Sequence, residues 1–140
     1  MYLNKITPIA VSCALIVQDG LVLAVKRSKK MDLAGFWEFP GGKVERDENP
    51  TQCLVREIKE ELDLTIELVS KLTPVIFDYP GKQVELIPFL ARIKSGKILL
   101  REHENAAWLG QNELFKLNWA PADIPIVQEL KQIWSEFFTN

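Results

Sequence analysis

Residues 42–64, GKVERDENPTQCLVREIKEELDL, carry the most information about this chain. They place three glutamates within five positions, at Glu57, Glu60 and Glu61. On a helix, positions i, i+3 and i+4 share a face, where like charges repel by roughly 0.2–0.5 kcal/mol per pair. A cation would reverse that repulsion, and Mg2+ in proteins is often held by carboxylates together with substrate phosphates. The spacing therefore predicts a metal-dependent enzyme that acts on a phosphate compound.

The same stretch contains the signals for the start of a helix. Asn49 suits the N-cap, Pro50 the first helical position, and Gln52 the third position of a capping box. Apolar residues then recur at helical spacing, which predicts a helix over about 50–62 with one buried and one acidic face. The alternative is an ordinary amphipathic surface helix. The tight turn at residues 40–42 argues against it, because such a turn brings backbone close to whatever the glutamates bind.

This stretch resembles the Nudix box, G-x5-E-x7-R-E-U-x-E-E-x-G-U, in which U is an aliphatic residue. The matching positions are Gly42, Glu48, Arg56, Glu57, Glu60 and Glu61. One position departs from the pattern, because Asp63 replaces the last glycine. A left-handed conformation is often needed past a helix end, and Asp tolerates it better than most residues. We expect a small stability cost there and no lost chemistry.

The resemblance implies a metal-dependent active site with Mg2+, or alternatively Mn2+, as cofactor. The implied metal ligands are the carbonyl of Gly41 and the carboxylates of Glu57, Glu60 and Glu61. Glu57 is our expectation for the general base, although family members differ on this point. Arg56 is expected to orient the carboxylates, including that of Glu48.

A further metal ligand is expected from outside the box. Glu102 lies six residues before Trp108, as a metal-binding glutamate does in MutT-like pyrophosphohydrolases. The alternative is an ordinary charged loop at 101–104. The one histidine, His103, is expected to be a loop residue, because hydrolysis by clustered glutamates and a metal does not require a histidine base.

The resemblance to MutT-like enzymes covers nearly the whole chain and implies a nucleotide site. The implied substrate-binding residues are Arg27, Phe39, Gly42, Tyr79, Pro121 and Asp123. Arg27 corresponds to an arginine that contacts the nucleotide. Tyr79 corresponds to an aromatic residue of the base pocket, and residues 120–125 to a base-recognition segment.

Asp123 stands where the members that cleave 8-oxo-dGTP carry an asparagine. An ionised Asp only accepts hydrogen bonds, whereas Asn also donates. An acceptor suits an exocyclic amino group such as cytosine N4, and the run at 120–125 is similar to that of the CTP pyrophosphohydrolase branch. An amino-bearing purine would also satisfy Asp123. A cap on the final helix is a second interpretation of the same residue.

Bulk composition excludes several classes of protein. The 17 basic and 19 acidic residues are nearly balanced, which offers no electrostatic case for duplex nucleic acid or a membrane surface. No apolar run approaches the length of a membrane span, and we interpret the apolar N-terminal run as a strand and not a signal peptide. Cys13 and Cys53 lie on apolar faces, which predicts buried free thiols in a reducing cytoplasm.

The remaining chain predicts strands followed by a second helix. Strands are expected over 9–17, 21–25, 37–39, 65–77, 84–93 and 106–109, with turns at 19–20, 79–82 and 94–97 and a loop at 28–35. Apolar residues at helical spacing predict the final helix, namely Ile124, Val127, Leu130, Trp134 and Phe137. This order predicts an α+β class, and the resemblance implies an α/β/α sandwich with mixed sheet. We expect one domain over residues 1–140, as a monomer or weak homodimer.

The leading functional prediction is hydrolysis of a nucleoside triphosphate, either CTP, dCTP or a modified form, to the monophosphate and pyrophosphate. An 8-oxo-dGTP pyrophosphohydrolase is the nearest alternative. Enzymes acting on ADP-ribose, a dinucleoside polyphosphate or a capped RNA end share the fold. A Nudix module that binds without catalysis belongs to a different class, and the four intact box glutamates argue against it.

Overall fold

The computed structural model describes residues 7–138 and contains eight strands, two α-helices and two 3-10 turns. The strands are β1 Ile9–Gln18, β2 Leu21–Lys26, β3 Trp37–Glu38, β4 Gly41–Lys43, β5 Leu64–Lys71, β6 Val75–Tyr79, β7 Lys82–Gly96 and β8 Asn105–Leu109. The helices are α1 Pro50–Leu62 and α2 Ile124–Phe137, and the 3-10 turns are Gln111–Lys116 and Pro121–Asp123.

All eight strands belong to one mixed sheet. Its main path runs β3-β2-β1-β7-β5, while β4 pairs with β1, β6 with β7 and β8 with β2. The long central pair β1 and β7 is parallel, and the other pairs are antiparallel. β1 pairs with β2 only near the hairpin, and its first half pairs with β4. The chain just before α1 is thereby held at the centre of the sheet.

Successive side chains of the central strands point to opposite faces of the sheet, and each face has its own hydrophobic core. Leu15 and Val22 pack with Ile126 and Leu130 of α2. Their neighbours along the same strands point to the other face, where Ala14, Ile16 and Leu23 pack with α1. The α1 residues in that core are Leu54, Ile58 and Leu62. This alternation follows from the two-residue period of a strand buried on both faces. The predicted α/β/α sandwich with a mixed sheet is confirmed.

The predicted signals at both ends of α1 are confirmed. Asn49 Oδ1 accepts from the backbone N–H of Gln52 at 2.8 Å, and Gln52 Oε1 accepts from that of Asn49 at 3.0 Å. These two bonds form the capping box. At the other end, Asp63 is left-handed, with φ 58° and ψ 32°. Its carboxylate also lies 3.3 Å from Lys59 and 3.5 Å from Arg101, so exposed ion pairs accompany the unusual backbone.

Three predictions of local structure are wrong. The turn expected at 40–42 is a bend at Pro40 followed by strand, because Gly41 and Gly42 pair with β1. The strand expected over 65–77 is broken between β5 and β6, where Pro74 has no N–H to give and Thr73 instead bonds Glu129 of α2 at 2.8 and 3.1 Å. The turn expected at 94–97 is strand up to Gly96, because β7 continues to pair with β5 as far as the Leu64–Gly96 register. Local polarity favoured a turn, and tertiary pairing extended the strand.

Cys13 and Cys53 are buried free thiols, as predicted. In the part of the chain that the structure describes, no helix has both the length and the apolar composition to cross a membrane.

Candidate active site

The two glycines of β4 bring the chain into close contact with both the sheet and α1. A side chain on Gly41 would collide with the backbone of β1 at Ser12, and one on Gly42 would collide with the carboxyl group of Glu57. The Cys53 thiol lies against the same segment, 3.4 and 3.3 Å from the carbonyl oxygens of Gly42 and Lys43. The box glycine thus sits directly beside the first glutamate of the acidic face.

Arg56 links the box carboxylates into one network. Its Nη2 and Nε contact the two oxygens of Glu48 at 2.5 and 3.0 Å, a bidentate pairing. Its Nη1 contacts Glu57 at 2.8 Å and Glu60 at 3.2 Å. The hydrogen bonds from Arg56, then a backbone N–H from Glu45, lower the pKa of Glu48 to about 2. Arg56 thus contacts the carboxylates of Glu48, Glu57 and Glu60 at the same time.

Glu61 is the buried carboxylate of the acidic face. It is 6% exposed, and its Oε2 has no hydrogen-bond partner among residues 7–138. Burial, followed by the charges of Glu57 and Glu102, raises the pKa of Glu61 to about 9. Glu102 therefore lies close enough to act on Glu61, although the two are 41 positions apart in sequence. The Arg101 N–H, bonded to the Glu61 carbonyl at 3.2 Å, holds this neighbouring segment against α1.

These carboxylates have the chemistry of a site for a hard divalent cation. A buried carboxylate oxygen without a partner, next to further carboxylates, is costly unless a positive charge compensates it. Within residues 7–138, however, no three acidic, His or Cys side chains converge as a ready coordination set. Glu57 and Glu60 contact Arg56 instead, and the Glu60 side chain is 59% exposed, so it has room to turn toward a metal if that contact breaks. The donor set fits a metal, with rearrangement of side chains at that face.

A cavity of about 360 Å3 lies beside the acidic face. Five of the six predicted substrate-binding residues line it, namely Arg27, Phe39, Gly42, Tyr79 and Asp123, together with Gly41 and Glu61 of the predicted metal site. Pro121 does not line it. As the first residue of a 3-10 turn, Pro121 sets the backbone course, and its neighbours Ala120 and Ala122 face the cavity.

The inner wall of the cavity is formed by contacts between residues that are far apart in the sequence. Asp123 Oδ2 accepts a hydrogen bond from the Phe39 N–H at 2.9 Å, 84 positions away. The Tyr79 hydroxyl accepts from the Ala122 N–H at 3.0 Å. The ring of Phe39 packs on that of Trp119 with centroids 4.8 Å apart. Asp123 makes no side-chain cap on α2, so that interpretation is wrong, because its carboxylate instead accepts from the Phe39 N–H just after β3 and lines the cavity.

Burial, then the charge of Glu38, raises the pKa of Asp123 well above its ordinary value of 3.8. The hydrogen bond from Phe39 and the charge of Arg27 act in the opposite direction but are the smaller effects. Asp123 is 5% exposed, so the ionised form is disfavoured in the folded protein. Ionisation of Asp123 in the folded protein therefore requires a ligand that favours the charged form.

Sequence reasoning missed two residues of this region. Glu38 lines the cavity and is bonded to Arg27 Nη1 at 2.7 Å. His103 was expected to be a loop residue and not a catalytic base, and it does lie in a loop, but its side chain is 1% exposed and its Nε2 lies 2.8 Å from Glu38 Oε2. A single Glu in a short strand and a single His in a polar loop carry no periodic or spacing signal. The resemblance to MutT-like enzymes, which covers nearly the whole chain, was the one available indication for Glu38.

The chain belongs to the NUDIX domain family, which matches residues 6–130. It is a Nudix hydrolase, of a family that acts on nucleotide substrates and generally uses a divalent metal such as Mg2+. Over 120 residues it is 35% identical to the CTP pyrophosphohydrolase of Escherichia coli (strain K12), covering 86% of this chain and 89% of that protein. It is 28% identical over 116 residues to the 8-oxo-dGTP diphosphatase of the same organism, covering 83% and 90%. The solution structure of the E. coli ORF135 protein superposes with a TM-score of 0.83 at 30% identity, covering all of both chains.

We predict opposite consequences for alanine at the two β4 glycines. Gly42→Ala should fold but lose most of the metal-dependent activity, because the new methyl group displaces the flexible Glu57 side chain. Gly41→Ala should lower the free energy of unfolding by about 1–3 kcal/mol, because the methyl group meets immovable β1 backbone. Urea unfolding and initial rates on both variants provide the check. Equal stability loss in the two would contradict the assignment.

We predict that Asp123→Asn removes a pH dependence of stability. A carboxyl group whose pKa is raised on folding contributes stability that is present below its unfolded pKa and is lost as pH rises toward its folded value. Asparagine keeps an acceptor for the Phe39 N–H without a charge. As pH rises above about 4, the free energy of unfolding of the variant should therefore increase relative to that of the wild type, by at most about 1.4 kcal/mol per pH unit. Unfolding at a series of pH values measures this gap, and a constant gap would refute the prediction.

Proposed function

We propose that this Nudix hydrolase cleaves nucleoside triphosphates to the monophosphate and pyrophosphate with Mg2+, and that it prefers cytosine nucleotides. The observation that carries the proposal is the cavity, which joins a carboxylate-rich face on α1 to an inner wall formed by Phe39, Tyr79 and Asp123. The similarity to a CTP pyrophosphohydrolase over most of both chains supports the same direction. Nucleotide-pool sanitation or balance is the cellular role that such an activity would serve.

The proposed metal ligands are the Gly41 carbonyl and the carboxylates of Glu57, Glu60, Glu61 and Glu102. Bound there, a divalent ion would neutralise phosphate charge and lower the pKa of a water ligand. Arg56 orients Glu57 and Glu60 through its Nη1 and anchors itself on Glu48. Glu57, the proposed general base, adjoins the Gly42 backbone, so the phosphate chain would approach the base across the glycines. Mn2+ is the alternative ion, since both ions accept oxygen ligands.

Cationic side chains at the cavity suit the charge of a triphosphate. Arg27, Lys43 and Lys82 line it, and Lys82 Nζ lies 5.9 Å from the centre of the Tyr79 ring. Arg27 is fixed by its contacts with Glu38 and with the carbonyl of Asp32. A point charge on a lysine and a fixed guanidinium are both common means of binding phosphate.

The base preference rests on Asp123. One carboxylate oxygen is bonded to the Phe39 N–H, and the side chain lines the cavity. An exocyclic amino group that donates to the other oxygen would stabilise the ionised carboxylate, which burial otherwise disfavours. Cytosine N4 is such a donor. The nearest alternative substrate is 8-oxo-dGTP, which the similarity to an 8-oxo-dGTP diphosphatase favours.

We predict metal-dependent pyrophosphate release led by cytosine nucleotides. Initial rates with Mg2+ would be compared for CTP, dCTP, 5-methyl-dCTP, dGTP, 8-oxo-dGTP and ADP-ribose. Glu57→Gln and Glu60→Gln should each abolish most of the activity, because they remove the charge of a proposed ligand while keeping the side-chain shape. Glu67→Gln, on the exposed side of β5, is the matched control and should leave the rates unchanged.

An 8-oxo-dGTP-led profile would retain the reaction and reject the base preference. A profile led by ADP-ribose would move the substrate to another Nudix class. Release that is absent with every compound, in a protein that still binds nucleotide, would favour a binding module.

We further predict that the preference for CTP over UTP, which has no exocyclic amino group, rises with pH in the wild type and is lower and nearly flat in Asp123→Asn. Ionisation of Asp123 creates the acceptor that cytosine N4 needs, and Asn offers no such change. Relative kcat/KM across pH 6–9 is the measurement, taken as a ratio so that pH effects common to both substrates cancel. Cys13, Arg27, Glu38 and Tyr79 also face this region, and all are retained in the variant. Identical ratios for the two proteins at every pH would reject the role of Asp123.

A further inference from the structure

His103 is a buried side chain within an otherwise exposed segment. Its neighbours Arg101, Glu102 and Glu104 are all exposed, whereas the imidazole of His103 is 1% exposed. The chain contains no other histidine. Polar side chains are seldom buried without a specific partner, so the position of this ring calls for one.

The partner of His103 is Glu38. His103 Nε2 lies 2.8 Å from Glu38 Oε2, while Arg27 Nη1 holds the other oxygen, Oε1, at 2.7 Å. Both oxygens of the Glu38 carboxylate therefore have partners, one 11 positions earlier in the sequence and the other 65 positions later. Glu38 and Arg27 line the cavity, but His103 does not. The contact with Glu38 therefore connects the buried His103 ring to the cavity wall.

The backbone around His103 is anchored on both sides. On one side, the Arg101 N–H donates to the Glu61 carbonyl at 3.2 Å, and Arg101 Nη1 donates to the Glu60 carbonyl at 3.1 Å. On the other side, the Glu104 N–H donates to the Lys26 carbonyl of β2 at 3.0 Å. The backbone on both sides of His103 is thus tied to α1 and to the sheet, which limits how far the ring can move from Glu38.

We propose that His103 is a positioning residue that holds the Glu38 carboxylate in the cavity wall and thereby sets the affinity for the nucleotide base. This proposal rests on the proposed function. A free glutamate side chain loses considerable rotamer entropy when it is ordered, and that loss is already met in the free protein when Arg27 and His103 hold it. The fixed carboxylate presents its remaining lone pairs to the cavity, and these accept hydrogen bonds from an amino or ring N–H of the base.

The test compares His103→Leu, which removes the contact, with His103→Gln, whose amide nitrogen can replace Nε2. Dissociation constants for CMP and dGMP would be measured by calorimetry in EDTA, so that no metal contributes. Kinetic constants for CTP would be measured with Mg2+. Loss of a hydrogen bond to a charged group should raise the dissociation constant for CMP and the KM for CTP roughly tenfold or more. We expect kcat to change less than about threefold, and His103→Gln to recover most of the affinity.

A double-mutant cycle with Glu38→Gln separates positioning from a general structural role. If His103 acts through Glu38, His103→Leu should have little further effect on CMP binding in the Glu38→Gln background. Glu104→Gln, in the same loop and exposed, is the matched control and should leave binding unchanged. If His103→Leu does not fold, His103→Asn replaces it, because the shorter side chain cannot reach Glu38.

Three results would overturn the proposal. They are unchanged CMP binding by a folded His103→Leu or His103→Asn, an equal loss in the Glu38→Gln background, and a fall in kcat alone. A wild type that binds CMP but releases no pyrophosphate would refute the proposed function while the binding cycle still decides the role of His103. A wild type that binds neither CMP nor dGMP would overturn the role of His103, while pyrophosphate release from CTP with Mg2+ still decides the proposed function.

Discussion

The close approach of β4 to β1 and α1 is the constraint on which the rest of the site depends. Gly41 lies against β1 backbone and Gly42 against the Glu57 carboxyl group, with no room for a side chain at either position. Because β1 is the parallel partner of β7 at the centre of the sheet, this contact fixes the box loop to the most rigid part of the fold. The acidic face of α1, the glycine loop and the cavity are consequently held in fixed positions relative to one another.

Charge compensation is the second organising principle of the site. Glu57, Glu60 and Glu61 lie on one helix face, a placement that costs stability unless cations balance it. Arg56 balances part of that charge by contacting three carboxylates. It does not reach Glu61, whose pKa is raised by burial and by its acidic neighbours. The remaining imbalance is what a divalent metal and a substrate phosphate would share, which links the stability of the free protein to its chemistry.

The parts of the fold that the sequence predicted correctly are those with strong local signals. The α1 capping box depends on residues three positions apart, and the left-handed Asp63 on a single position past the helix. The errors occurred where a distant partner overrode local preference. β7 extends to Gly96 because β5 pairs with it, although residues 94–97 are polar. His103 is buried because Glu38, 65 positions away, offers its carboxylate.

The sequence by itself determined the acidic helix, its glycine loop and the family, because these lie within 23 consecutive residues whose spacing directly encodes a shared face. Only the tertiary structure decided which side chains complete the cavity. Asp123 meets the Phe39 backbone across 84 positions, and His103, in the loop before β8, meets Glu38 of β3 across 65 positions. Such contacts depend on sheet order and strand register, which no local pattern specifies. The tertiary structure also raised the pKa of Asp123, since burial is a property of the folded chain.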